Sequence, residues 1–215
     1  MDILLGFDPG GAGKSTGNFG WCVAEYRCNL PLQIRRAGIA KHAKGAVEAA
    51  LQQVTSLDSI LAAGIDAPLF WTPAGDRQAD RLIRKALTDV GASTSSVLSV
   101  NSLQGACLIQ GILAAMLLRD RFPCLPLSES HPKAFLLMNH HAFVSPPSEA
   151  ELSDLSDFLV YDERPEADHE RDAALATLSA WAMFERPQGW TDIYSREPRP
   201  RSPLAQPLGY WLPAF

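Results

Sequence analysis

Short apolar runs separated by glycine, proline and charged residues dominate the first quarter of the chain. Residues 3–7 form a continuous apolar run, which is typical of a strand buried on both faces. Residues 21–26 and 32–39 have the aromatic and β-branched content of strands, and short turns separate them. Three successive strands with short connections predict an antiparallel meander.

Helical periodicity and strand-like runs alternate through the rest of the chain. Residues 46–57 place apolar side chains at helical spacing, and the apolar run 59–65 predicts a fourth strand that ends at Asp66. The remaining pattern predicts helices at 76–90, 103–121, 149–159 and 168–184, with further strands at 97–100 and 124–127.

This order of elements predicts one α/β domain with a mixed five-stranded sheet and helices on both faces. We assign the domain to residues 1–195. Residues 196–215 are rich in proline, and we expect them to form an extended tail that wraps the surface.

Charge and cysteine content limit the function classes. The net charge is −5, from 19 Lys and Arg against 24 Asp and Glu, so a nucleic acid would have to bind at a local basic patch or through bound metal. The four cysteines lack zinc-ligand spacing, and the apolar run at 109–118 is shorter than the roughly 20 residues of a membrane span. We therefore expect a cytoplasmic protein with free cysteines and no membrane association.

The segment from Asp8 to Thr16 resembles a nucleotide-binding P-loop, but it fails the two physical requirements of that motif. Asp8 replaces the first glycine, so its carboxylate would repel a phosphate. A helix must also begin at the lysine, whereas Gly17 and Gly20 would each cost a helix roughly 1 kcal/mol. We expect an unusual hairpin turn here, in which Lys14 either binds a phosphate or is a solvated lysine.

Carboxylates follow three of the predicted strands directly. Asp8 ends the first strand, Asp66 the fourth, and Glu129 the fifth, while Asp172 lies in the final helix where that helix becomes apolar. Sites in open α/β sheets form at the carboxyl ends of strands, and clustered carboxylates repel one another unless a cation is present. These four residues are the candidate ligands of Mg²⁺ or Mn²⁺, which favour hard oxygen donors. Each acid taken singly also fits a structural role as a turn, cap or surface residue.

A basic stripe on the helix after Asp66 is the candidate phosphate-binding surface. Arg77, Arg81, Arg84 and Lys85 share one helical face, and we select Arg77 and Arg84 as phosphate ligands. The alternative is a solvated face paired with neighbouring aspartates.

Five short motifs, in order, resemble a family of predicted nucleases with an RNase H-like fold known as domain of unknown function 429. They cover roughly residues 3–185 and comprise Gly6-Phe7-Asp8, Gly64-Ile65-Asp66-Ala67-Pro68-Leu69, the set Arg77, Asp80 and Arg84, Glu129-Ser130-His131-Pro132, and Asp172-Ala173-Ala174. The resemblance implies metal-binding roles for Asp8, Asp66 and Asp172, with Glu129 as a further acid. The glycine-rich turn at residues 10–18 is longer than that of the family.

The leading hypothesis is a metal-dependent nuclease that hydrolyses DNA or RNA at a two-metal carboxylate site. One alternative is a nucleotide phosphotransferase or hydrolase of the actin-hexokinase type, although 215 residues are few for its duplicated domain. Another is a non-catalytic interaction protein that keeps the fold. The oligomeric state, a homodimer included, is left open by the sequence.

Overall fold

The computed structural model describes residues 1–10, 17–72, 76–97, 105–139, 147, 149–198 and 200–214. Eight strands and six helices lie within these ranges, together with a 3₁₀ turn at Tyr194–Arg196. In chain order they are β1 (Asp2–Pro9), β2 (Phe19–Tyr26), β3 (Leu32–Ala40), α1 (Ala43–Gln52), β4 (Ser59–Ile65), α2 (Gln78–Asp89), α3 (Gly105–Arg121), β5 (Leu127–Glu129), α4 (Pro132–Met138), α5 (Glu149–Asp154), β6 (Leu159–Tyr161), α6 (Asp168–Glu185), β7 (Trp190–Asp192) and β8 (Leu208–Pro213).

All eight strands belong to one mixed sheet with the order β6-β3-β2-β1-β4-β5-β8-β7. The first three strands form the predicted antiparallel meander, and β4, β5 and β8 continue from β1 in parallel. The prediction of an α/β protein with a mixed sheet is confirmed. The predicted number of five strands is wrong, because β6, β7 and β8 extend the sheet at both ends.

The added strands come from segments whose sequences are short or interrupted by proline. Strand β8 lies between β5 and β7, and its Tyr210 and Leu212 are fully buried. The expected surface tail therefore supplies an internal strand, because Pro207 and Pro213 flank an apolar run that has no proline within it. β5 begins at Leu127, directly after Pro126, which has no N–H to donate to the ladder.

Two other predicted elements differ from the structure. The helix predicted at 149–159 ends at Asp154, and β6 follows it. Of the strand predicted at 97–100, only Val97 lies among the described residues, where it belongs to a bend. No helix within the described ranges has the length and apolar character needed to cross a bilayer.

Helix α6 packs directly onto the backbone of the central strands. Gly6, Gly20 and Gly64 lie beneath it, and a Cβ atom added to any of them would lie 1.9 Å from a carbonyl oxygen of α6. The buried residues of α6 include five alanines, which also keep the distance to the sheet short. On the opposite face, α1 and α3 contact each other, and Gly111 of α3 lies against Ile65.

The close contact of α6 predicts a large penalty for Gly64→Ala. Its Cβ would overlap the backbone oxygen of Ala176, so the helix must move, and we expect a loss of about 3 kcal/mol or more in the free energy of unfolding. Urea denaturation followed by circular dichroism measures this loss.

The matched control is Gly45→Ala in α1, where the added Cβ meets its nearest atom at 3.4 Å. Alanine favours a helix over glycine by up to about 1 kcal/mol, so this variant should be as stable as the parent or slightly more so. Equal losses at both positions would contradict the proposed close packing.

Candidate active site

Asp8 lies near the end of β1, on the face of the sheet that α6 covers. It pairs in register with Gly20, and the absence of a side chain there lets the backbone of His169 rest on β2. The Asp8 side chain is 10% exposed, and its Oδ2 contacts Nδ1 of His169 in the first turn of α6. The position of Asp8 is therefore fixed jointly by β1 and α6.

Asp66 follows the last residue of β4 at the same edge of the sheet. Its backbone N–H donates to the carbonyl oxygen of Phe7 at 2.8 Å, which keeps it beside the end of β1. Its side chain is 25% exposed, and Oδ1 lies 3.8 Å from Nδ1 of His131. Burial, together with the positive charges of Arg77 and Lys133, lowers the pKa of His131 to about 4, so this imidazole is neutral near pH 7.

Asp172 lies one turn after His169 on α6. Nε of its neighbour Arg171 donates to Oδ1 of Asp172 at 2.8 Å, and Arg171 itself is fully buried. Arg171 therefore supplies positive charge beside Asp172, and this charge also acts on Asp8.

The three aspartates interact through their charges. Burial raises the pKa of Asp66 well above its usual range, and the negative charges of Asp8 and Asp172 raise it further. Burial and the charge of Asp8 raise the pKa of Asp172 to about 7, against the lowering effect of Arg171. Burial also raises the pKa of Asp8, whereas His169 and Arg171 lower it. These carboxyl groups therefore keep their protons to a higher pH than free aspartates do, because burial and their mutual repulsion disfavour the charged forms.

Glu129 is placed differently from the three aspartates. It pairs in register with Ile65 rather than with Asp66, so its side chain leaves the sheet on the opposite face. Its two oxygens accept hydrogen bonds from Nη1 and Nη2 of Arg77 at 2.8 and 2.7 Å, and Oε2 also accepts one from the backbone N–H of Leu69 at 2.9 Å. Glu129 is thus engaged by protein donors.

Two of the three predicted phosphate ligands, Arg77 and Arg84, bind acidic residues of the protein. Arg77 is 2% exposed and also holds Asp80 through contacts of 2.6 and 2.9 Å. Arg84 binds both oxygens of Asp76 at 2.7 and 2.8 Å. Lys14 lies outside the described residues. A phosphate-binding role for these three cations stays a prediction.

A cavity of about 190 Å³ lies beside the aspartates at this edge of the sheet. Its walls include Asp8, Asp66 and Glu129, together with three residues that the sequence patterns did not indicate, Ser96, Cys107 and Tyr210. His169 was also missed, although its spacing of three residues from Asp172 places both on one helical face. Tyr210 was missed because its segment was expected to lie on the surface.

The donor set suits a divalent cation by its chemistry. Asp8, Asp66 and Asp172 offer hard oxygens, and their mutual repulsion would fall on binding a cation. Among the described residues, no group of three or more His, Cys, Asp or Glu side chains is arranged closely enough to hold a metal. Asp8 and Asp172 instead contact His169 and Arg171.

Comparisons with known proteins give two matches. The family described as "Protein of unknown function (DUF429)" matches residues 6–108, which include Asp8 and Asp66. This agrees with the resemblance of the motifs, and the description assigns no activity. The solved structure of Thermus thermophilus RuvC aligns with 86% of this chain and 95% of its own, at 16% identity and a TM-score of 0.41. No curated protein matches the chain.

The raised pKa of Asp66 predicts that Asp66→Asn stabilises the protein at alkaline pH. Because the folded chain binds this proton more tightly than the unfolded chain, ionisation of Asp66 lowers stability as the pH rises above about 4. The variant should melt at a higher temperature than the parent at pH 8, and the difference should shrink toward pH 4.

Asp58→Asn is the control with the opposite sign. Hydrogen bonds from the backbone and side chain of Thr55 lower the pKa of Asp58 to about 2, so its contribution is present above pH 4 and is lost as the pH falls through 2. This variant should melt below the parent at pH 8. A destabilised Asp66→Asn protein at pH 8 would contradict the electrostatic description of the site.

Proposed function

We propose that this protein is a metal-dependent nuclease with an RNase H-like fold, which hydrolyses phosphodiester bonds of DNA or RNA. The observation that carries the proposal is the placement of Asp8, Asp66 and Asp172 by β1, β4 and α6 at one edge of the sheet. Their mutual effects on pKa support it, because such a group gains from binding a cation.

In this proposal, Asp8, Asp66 and Asp172 hold Mg²⁺ or Mn²⁺. The bound cation would polarise a phosphoryl oxygen and offset the charge of both phosphate and carboxylates. Glu129 contributes its negative charge only, because Arg77 and Leu69 already bind its oxygens. A bound cation would also supply a positive group for a polyanion, in a chain whose net charge is −5 and whose Arg77 and Arg84 bind acidic side chains.

His169 and Arg171 have distinct roles in the same proposal. The contact with Asp8 raises the pKa of His169, so the imidazole is protonated over a wider pH range and can donate a proton to the leaving oxygen. Arg171 keeps the Asp172 carboxylate oriented through its 2.8 Å hydrogen bond.

The first test compares Asp8→Asn with the parent protein on a panel of single-stranded, duplex and branched DNA and RNA, with Mg²⁺ or Mn²⁺. We expect cleavage to fall by a factor on the order of 10³, because the variant keeps the shape of the side chain and loses its charge. Either metal should raise the melting temperature of the parent at pH 8 and leave that of Asp8→Asn nearly unchanged.

Asp58→Asn is the matched control for cleavage, since Asp58 precedes β4 at the end of the sheet opposite Asp66. It should retain parental activity. Cleavage that survives in Asp8→Asn would refute the metal site. ATP turnover without nucleic-acid cleavage would favour a phosphotransferase, and the absence of turnover and of any metal-induced shift would favour an interaction protein.

A second test separates His169 from the metal ligands. His169→Ala removes the proton donor and keeps all three aspartates, so the metal-induced rise in melting temperature should remain. Cleavage should fall by about 10²-fold or more. Loss of the metal-induced shift would instead make His169 part of the metal site, and unchanged cleavage would remove it from the chemistry.

A further inference from the structure

Tyr210 is a buried tyrosine whose hydroxyl has no hydrogen-bonding partner among the described residues. Its residue is 2% exposed, and it lies in β8 directly opposite Glu129 of β5. The ring packs edge-on against Phe70 with a centroid separation of 6.4 Å, and the guanidinium of Arg77 lies 5.9 Å from the ring centroid. These contacts account for the ring and leave the hydroxyl unexplained.

The hydroxyl is close to the polar groups of the 190 Å³ cavity, whose wall includes Tyr210. Burial raises the pKa of this hydroxyl well above the usual range, and the charges of Glu129, Asp80 and Asp66 raise it further, against the effect of Arg77. Ser96 lies on the same cavity, and its Oγ is buried without a hydrogen-bonding partner within the described ranges. A buried hydroxyl without a partner is unfavourable, so Ser96 Oγ indicates a ligand in this cavity, and the hydroxyl of Tyr210, which also lines the cavity, offers that ligand a second hydrogen bond.

The charge of the cavity determines which part of a substrate fits. Four carboxylates line it, those of Asp8, Asp66, Asp80 and Glu129, against the single guanidinium of Arg77, which already binds two of them. Without a bound metal ion, the described lining therefore offers a free phosphate no unpaired cation, whereas an uncharged group with donors and acceptors needs none. The volume of about 190 Å³ is also below the roughly 300 Å³ at which pockets for whole drug-sized ligands begin, so only a part of a nucleotide can enter the cavity.

We propose that Tyr210 and Ser96 form a subsite for the uncharged nucleoside part of the nucleotide next to the scissile phosphate. This assignment rests on the proposed nuclease function and names the part of the substrate that enters the cavity. The strand β8, which carries Tyr210, is then a component of the substrate site.

The test uses Tyr210→Phe, which removes the hydroxyl and keeps the ring contacts with Phe70 and Arg77. The control is Tyr194→Phe, because Tyr194 also packs on Phe70, at 4.8 Å, but its hydroxyl accepts a hydrogen bond from Gln206. Neither variant should lose its fold, which thermal melting monitors. The four ribonucleosides and four deoxyribonucleosides, and separately inorganic phosphate, serve as probes in saturation-transfer NMR titrations without metal.

We expect at least one nucleoside to bind the parent and Tyr194→Phe equally, and to bind Tyr210→Phe about tenfold more weakly. Inorganic phosphate should neither bind nor compete. In the cleavage assay, Tyr210→Phe should raise KM more than it lowers kcat. Equal nucleoside affinity in parent and Tyr210→Phe, no nucleoside binding at all, or competition by phosphate would each overturn the subsite.

The outcomes separate this subsite from the proposed function. Nucleoside binding that depends on Tyr210, in a protein that cleaves no nucleic acid, would reject the nuclease proposal and keep the subsite. Metal-dependent cleavage with the same KM and kcat in Tyr210→Phe as in the parent would reject the subsite and keep the nuclease. Ser96→Ala gives an independent check, since this variant should also bind the same nucleoside more weakly than the parent does.

Discussion

The direct contact between helix α6 and the backbone of the central sheet is the constraint on which the rest of the structure depends. Three glycines on β1, β2 and β4 make room for carbonyl oxygens of the helix, and the alanines of α6 complete the fit. This contact sets both the height and the rotation of α6. Because His169 and Asp172 lie on that helix, the same packing brings them to the ends of β1 and β4, where Asp8 and Asp66 are held by strand pairing.

The second organising feature is a separation of charges across the sheet. On the α6 face, three aspartates are compensated only in part by His169 and Arg171, and their pKa values are raised. On the other face, Glu129 and Asp80 share the buried guanidinium of Arg77. The three aspartates on the α6 face therefore gain stability when they bind a proton or a cation. The group on the other face is internally paired, and it anchors the loop after Asp66 through the N–H of Leu69.

Local sequence patterns were sufficient to predict those strands and helices whose formation depends on residues close together in the chain. The apolar runs and their terminal acids predicted β1, β4 and the positions of Asp8 and Asp66, and helical periodicity predicted α6. The face of the sheet toward which a strand residue points depends on the register in which its strand pairs with the neighbouring strand. Glu129 lies opposite Ile65 instead of Asp66, and no local signal carries that one-residue difference. The partnership of Arg77 with Glu129 and the burial of Tyr210 likewise depend on contacts between distant segments.

The topology of the sheet also bears on how the chain folds. β3 pairs with β6 through Leu32 and Leu159, and β5 pairs with β8 through Leu127 and Leu208. Such parallel pairings between remote segments close long loops before they gain contacts, which slows folding. Until β6 and β8 join, β3 and β5 are open edges that can accept a strand from another molecule. Aggregation during refolding should therefore occur before β6 and β8 have paired with β3 and β5. A higher protein concentration should lower the yield of native chain.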